Sequence, residues 1–109
     1  MSITHLASGE VFQLLSAGDD SSPESKTLVR DEHFQVFRYA LPAGKLTSMH
    51  QAAGIITIQC LSGEIELDAH QRRQRMVAGD LVYLADQEPH AVLAVSEAVL
   101  LISMALHRS

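Results

Sequence analysis

The sequence predicts an all-β protein. Its apolar runs are short and are separated by turn-forming residues, at intervals that suit repeated β-strands better than helices. The runs over residues 55–61 and 98–106 are rich in β-branched side chains and are almost continuously apolar, which is typical of strands covered on both faces. Residues 33–41 alternate in side-chain type, and this period of two also indicates a strand.

The other elements follow from the turn residues between them. A first element is expected over residues 10–16, and the cluster of Gly, Asp, Ser and Pro over residues 18–23 predicts a loop. A hairpin is predicted over residues 64–77, with its turn at residues 69–71. Because the neighbours of Tyr83 are apolar, the sequence does not show which face of the sheet its side chain occupies. In chain order, strands are expected over residues 25–30, 33–41, 55–61, 64–68, 72–77, 79–84, 90–95 and 98–106.

Length and composition predict a single domain over residues 1–109, in which residues 1–24 form an N-terminal arm and loop. A chain of this size buries roughly two thirds of its unfolded surface, which is enough for a core of its own. The net charge of −5 argues against binding to nucleic acid or to an anionic membrane surface. Small molecules or proteins are therefore the expected partners.

Cys60 is the only cysteine, so no internal disulfide can form. The first fifteen residues show neither a targeting signal nor an apolar membrane span. These observations predict a cytoplasmic protein. The second apolar faces of residues 55–61 and 98–106 need cover, and we expect a homodimer to supply it.

Two Gly/His segments carry the most specific pattern in the chain. The first runs from Gly44 through His50 to Gly63, and the second runs from Gly79 to His90, with fifteen residues between them. Their spacing resembles the two cupin motifs, G-x5-H-x-H-x3-E-x6-G and G-x5-P-x-G-x2-H-x3-N. The resemblance spans residues 41–94 and implies a small single-domain cupin. Its expected fold is an antiparallel β-barrel of the double-stranded β-helix, or jelly-roll, type.

The same resemblance implies where a metal would bind. The cupin pattern places metal ligands at positions 50, 52, 56 and 90, but this chain has Ala52 and Ile56 at two of them. Only His50 and His90 carry over as metal ligands. A divalent ion such as Zn, Ni, Mn or Fe would then need water or a bound molecule to complete its coordination. A metal-free pocket with two polar histidines is the other interpretation.

The predicted ligand pocket follows from the alternation of side chains along the strands. Cys60 shares its parity with His50 and Ile56, and a small buried thiol is favoured over a nucleophile because no base is evident beside it. Glu88 could reach the rim but occupies no ligand position of the cupin pattern. The pocket is predicted to contain His50, Ala52, Ile56, Ile58, Cys60, His90 and Val92.

Three functions stay open on the sequence alone. The first is a binding protein that holds a small, largely apolar molecule in the barrel, with His50 and His90 as polar groups and at most a weakly held metal. The second is a metal-dependent cupin enzyme, an oxygenase or isomerase, in which the two histidines hold the ion. The third is an interaction scaffold with an inert barrel.

Overall fold

The computed structural model describes residues 5–15, 25–47 and 54–106. Within these ranges every regular element is a β-strand, which confirms the predicted all-β class. No helix in these ranges could cross a membrane. The strands are β1 (Lys26–Arg30), β2 (Phe34–Leu41), β3 (Gly54–Ser62), β4 (Glu64–Ala69), β5 (Arg72–Val77), β6 (Leu81–Leu84), β7 (His90–Ala94) and β8 (Ala98–Leu106).

The strands form two antiparallel sheets. The larger sheet has the order β1-β2-β8-β3-β6, and the smaller has the order β5-β4-β7. Strand β8 lies at the centre of the larger sheet and pairs along its length with both β2 and β3. Its inward side chains, Leu100 and Ile102 among them, join the core, and the alternate side chains lie on the outer face of the sheet. Residues 44–47 extend the smaller sheet beside β7 through an antiparallel bridge between Leu46 and Leu93.

The core lies between the two sheets and is almost entirely aliphatic. Alternation along β3 sends Ile56, Ile58 and Cys60 inward, and each is at most 3% exposed. The opposing sheet contributes Ile65 and Leu67 from β4. Burying aliphatic side chains from both sheets in one cluster is the main force that holds the sheets face to face.

Two tight turns fix the register of the strands. His70 and Gln71 both have positive φ, 54° and 60°, which is the backbone of a two-residue hairpin turn between β4 and β5. Gly63, between β3 and β4, has a φ of +82°, and a Cβ atom there would overlap the carbonyl oxygen of Glu97. Glycine is required at this position of the first Gly/His segment for both reasons.

The N-terminal arm differs from the sequence prediction. An element was expected over residues 10–16, but residues 10–15 contain no strand, and Ser16 lies outside the described residues. The arm is instead held by one backbone hydrogen bond, from the Leu6 amide to the Leu28 carbonyl oxygen at 2.7 Å, and by Arg38. The Arg38 guanidinium donates to the carbonyl oxygen of Leu14 at 2.9 Å and lies 5.4 Å from the centre of the Phe12 ring. These contacts replace the backbone ladder that a strand would need.

The outer face of the larger sheet is uncharged over β3, β6 and β8 and is partly bare. The register of β3 and β6 sends Tyr83 and Leu81 outward, opposite Thr57 and Gln59, so the face of Tyr83 is settled by the fold. Tyr83 is 60% exposed and Leu81 is 64% exposed. Residues 5–15 lie against Arg38 at the β1–β2 end of this sheet, while the β6 end stays open.

Candidate functional site

A cavity of about 460 Å³ opens between the two sheets. This volume lies within the range of sites that hold small molecules in proteins. Both sheets contribute to its wall, together with the segment 44–47 that flanks β7. The wall residues are Phe37, Tyr39, Lys45, Leu46, Thr47, Ile58, His90, Val92, Leu100 and Ile102.

His90 is the buried polar residue of this cavity. It is 3% exposed and begins β7, whose alternation turns His90, Val92 and Ala94 toward the interior. Its Nδ1 atom lies 3.1 Å from the carbonyl oxygen of Glu88. Because a carbonyl oxygen can only accept, this contact is a hydrogen bond when Nδ1 carries a hydrogen.

The segment 44–47 is attached to β7 by backbone and side-chain hydrogen bonds. The Thr47 hydroxyl accepts from the Val92 amide at 2.9 Å and lies 3.2 Å from the Val92 carbonyl oxygen. The Thr47 amide also donates to that carbonyl oxygen, at 2.9 Å. Since Leu46 faces Leu93 across the bridge, its neighbours Lys45 and Thr47 turn toward the cavity.

The loop before His90 is anchored on both sides. The Asp86 carboxylate accepts from the amide of Gly54 at 2.7 Å, which ties the loop to the start of β3. Glu88 lies 3.3 Å from Nε2 of His70 at the tip of the β4–β5 hairpin. Glu88 therefore contacts the hairpin, and its backbone carbonyl contacts His90. These contacts fix the position at which β7 and its histidine begin.

The predicted pocket residues fall into three groups. Ile58, His90 and Val92 lie together on the cavity wall. Ile56 and Cys60 face the same interior but belong to the packed core, and neither is on the wall. His50 and Ala52 lie outside the described residues, so the predicted convergence of His50 and His90 stays a prediction.

The donor atoms of the described residues do not fit a resident metal ion. No three His, Cys, Asp or Glu side chains among residues 5–15, 25–47 and 54–106 are grouped as metal ligands would be. Ile56 stands where the cupin pattern has a carboxylate, and this aliphatic side chain is 3% exposed and offers no donor atom. Metal binding through His50 and His90 remains a prediction.

Cys60 is fully buried, and its environment keeps the thiol neutral. Burial raises the pKa of the Cys60 thiol, and the nearby Asp80 carboxylate raises it further, while a hydrogen bond to Ser62 opposes both effects. Sγ lies 3.5 Å from the carbonyl oxygen of Ser62. A thiol with a raised pKa is a poor nucleophile, so the geometry favours the packing role expected for it.

Sequence reasoning did not place seven of the wall residues in the pocket: Phe37, Tyr39, Lys45, Leu46, Thr47, Leu100 and Ile102. The alternation along 33–41 already put Phe37 and Tyr39 on one face, and this was the available signal for β2. Lys45 and Thr47 carried no such signal, because a short polar segment shows no apolar period.

The comparisons with known proteins agree with this architecture. No protein-family model and no curated protein matches the chain. Among solved structures, a conserved protein of unknown function from Streptococcus pyogenes is 23% identical, with a TM-score of 0.78 over 100% of this chain and 98% of that one. A cupin superfamily protein from Desulfitobacterium hafniense is 17% identical, with a TM-score of 0.74 over 77% of each chain.

An enzyme also appears among the structural neighbours. The DMSP lyase DddQ from Ruegeria pomeroyi is 22% identical, with a TM-score of 0.64 over 69% of this chain and 39% of the lyase. Taken with the two sheets and the cavity between them, these likenesses define a protein of the cupin fold. The chain therefore has the cupin fold, which the resemblance of the two Gly/His segments implied.

Proposed function

We propose that this chain is a binding protein that holds a small, largely apolar molecule in the cavity between its sheets. One observation carries the proposal: aliphatic and aromatic side chains of both sheets surround a buried histidine, His90, in a cavity of about 460 Å³. Such a wall favours an apolar body, and a single buried polar group orients it. His50 is the second polar group of the proposal.

The replacement at position 56 supports a dry pocket. A carboxylate at this position would have to be ionised, hydrated or bound to a metal, whereas Ile56 is packed into the core. The core beside the cavity therefore contains no charged group at this position. The buried, unpaired thiol of Cys60 is compatible with the reducing cytoplasmic setting expected from the sequence, which stays a prediction.

Replacing His90 tests the proposal. We expect the variant His90→Ala to bind the neutral amide 3-(4-hydroxyphenyl)propionamide at least about 5-fold more weakly than the wild type, since the ring hydroxyl loses its hydrogen bond to His90, which costs about 1 kcal/mol. The matched control is His33→Ala, a histidine whose side chain is 66% exposed before β2 and is absent from the cavity wall. Dissociation constants come from methyl NMR titrations, with circular dichroism to verify folding.

Equal affinities in wild type and His90→Ala would contradict the assignment of His90. Absence of binding by the wild type, to this amide and to a panel of small apolar molecules, would contradict the proposed function itself. An equally large loss of affinity in His33→Ala would show that the effect does not come from the cavity.

A metal-dependent oxygenase or isomerase is the second candidate, and its support is that a dioxygenase and a lyase are among the structural neighbours. The proposal of a binding protein predicts less than one metal ion per two chains in protein purified without a metal-affinity tag. Elemental analysis measures this directly. Near-stoichiometric Zn, Ni, Mn or Fe that disappears in both His50→Ala and His90→Ala would favour the enzyme instead.

A further inference from the structure

The described part of the cavity wall contains one lysine and no carboxylate. Lys45 lies on the wall at the exposed end of the segment 44–47. No carboxylate lines this cavity among the residues that the structure describes, and none of the ion pairs found there involves Lys45. The positive charge of Lys45 therefore faces an apolar cavity that brings no acidic partner of its own.

The register separates Lys45 from His90 along the cavity. Because Leu46 faces Leu93, Lys45 stands opposite Ala94, which is four residues beyond His90 on β7. Four residues of a strand span about 13 Å, so the two polar groups mark opposite ends of the wall. Between them the wall presents Val92, and Leu100 and Ile102 line it from β8. An elongated molecule with a charged end fits this arrangement.

We infer that the ligand is a small organic acid, whose carboxylate is bound at the mouth by Lys45 and whose apolar body lies between β7 and β8. This inference rests on the proposed function, because it names the ligand class of the same cavity. A single lysine matches one negative charge, and it attracts the acid in a chain whose net charge is −5 and would otherwise repel anions. A phosphate ester, with nearly two charges, would need more donors than this wall supplies.

The test compares an acid with its neutral isostere. Dissociation constants of 3-phenylpropionate and 3-phenylpropionamide are measured by methyl NMR titration for wild type, Lys45→Met and Lys26→Met. Both variants remove one positive charge and keep a long side chain. Lys26 lies on β1, 5.1 Å from the centre of the Phe12 ring and away from the cavity wall, so Lys26→Met controls for net charge.

The wild type is expected to bind the acid about 5-fold more tightly than the amide, the upper end of what an exposed ion pair contributes. Lys45→Met is expected to bring this ratio to about one while the amide affinity stays the same, and Lys26→Met to keep the ratio. High NaCl is expected to weaken binding of the acid only, because the charge pair is exposed to solvent.

A ratio near one in the wild type, with both compounds bound, would overturn the inference and leave the proposed function standing. A ratio that survives in Lys45→Met, or that falls equally in Lys26→Met, would overturn it as well. If neither compound shifts the methyl signals of Val92 and Leu100, the proposed function fails, and the inference falls with it.

Discussion

Cys60 shows how one buried group links stability to pH. Because its thiol pKa is raised in the fold, the folded chain keeps this proton at pH values where the unfolded chain has lost it. The folded state then binds more protons than the unfolded state, and the free energy of unfolding falls as pH rises. This contribution is intact below the ordinary thiol pKa of about 8.5 and is lost above it.

The variant Cys60→Ala isolates this effect. At pH 7.5 we expect the variant to be about 1 kcal/mol less stable than the wild type, because its packing is reduced. Between pH 7.5 and pH 9.5 we expect its free energy of unfolding to fall less than that of the wild type. Urea unfolding of both proteins at the two pH values measures the difference. The same pH dependence in both would show that the thiol does not contribute.

At the scale of the element, the segment 44–47 depends on one hydroxyl. Thr47 accepts the Val92 amide at 2.9 Å, in a part of β7 where Val92 is 5% exposed. Removing the acceptor leaves that buried amide without the hydroxyl, and an unsatisfied buried donor costs about 1–3 kcal/mol. The segment would then be held on β7 by fewer bonds, and the cavity wall that it forms would loosen.

The pair Thr47→Val and Thr47→Ser tests this role. Thr47→Val preserves the shape of the side chain and is expected to lower the free energy of unfolding by about 2 kcal/mol. Thr47→Ser keeps the hydroxyl and is expected to lose much less. Urea unfolding gives both values, and hydrogen exchange at the Val92 amide is expected to accelerate only in Thr47→Val. Equal losses in both variants would contradict the role of the hydroxyl.

The elements also show what sequence reasoning can and cannot supply. The predicted ranges 33–41 and 98–106 match β2 and β8 within one residue, because alternation or a continuous apolar run marks a strand directly. The element predicted over residues 10–16 was wrong because the arm is held by contacts between residues far apart in sequence, such as Arg38 and Phe12. His90 was found from motif spacing, whereas Lys45 enters the cavity only through the pairing of residues 44–47 with β7.

At the scale of the whole molecule, we propose that a second copy of the chain binds to the bare outer face of the larger sheet. The outward side chains of β3, β6 and β8, which include Ile55, Thr57, Leu81, Tyr83 and Leu101, carry no charge. Two copies can therefore meet there without like-charge repulsion, although each has a net charge of −5.

The homodimer expected from the sequence is proposed to form through this face.

A charge placed on the face tests the dimer. We expect the wild type to show a two-subunit mass at micromolar concentration by analytical ultracentrifugation, and Tyr83→Glu to show the mass of a single 11.9 kDa chain. Val95→Glu is the control, since Val95 is an exposed apolar residue after β7, on the other sheet. A monomeric wild type would contradict the proposal, and so would a dimer that survives in Tyr83→Glu.

The position of a bound molecule is the most direct test of the central claim, because an apolar probe could bind either inside the cavity or on the bare outer face. Intermolecular NOEs between 3-phenylpropionamide and the methyl groups of the protein distinguish the two sites. The account predicts NOEs from the phenyl ring to Ile58, Val92 and Leu100 on the cavity wall. NOEs only to Leu81 and Leu101 on the outer face would contradict it.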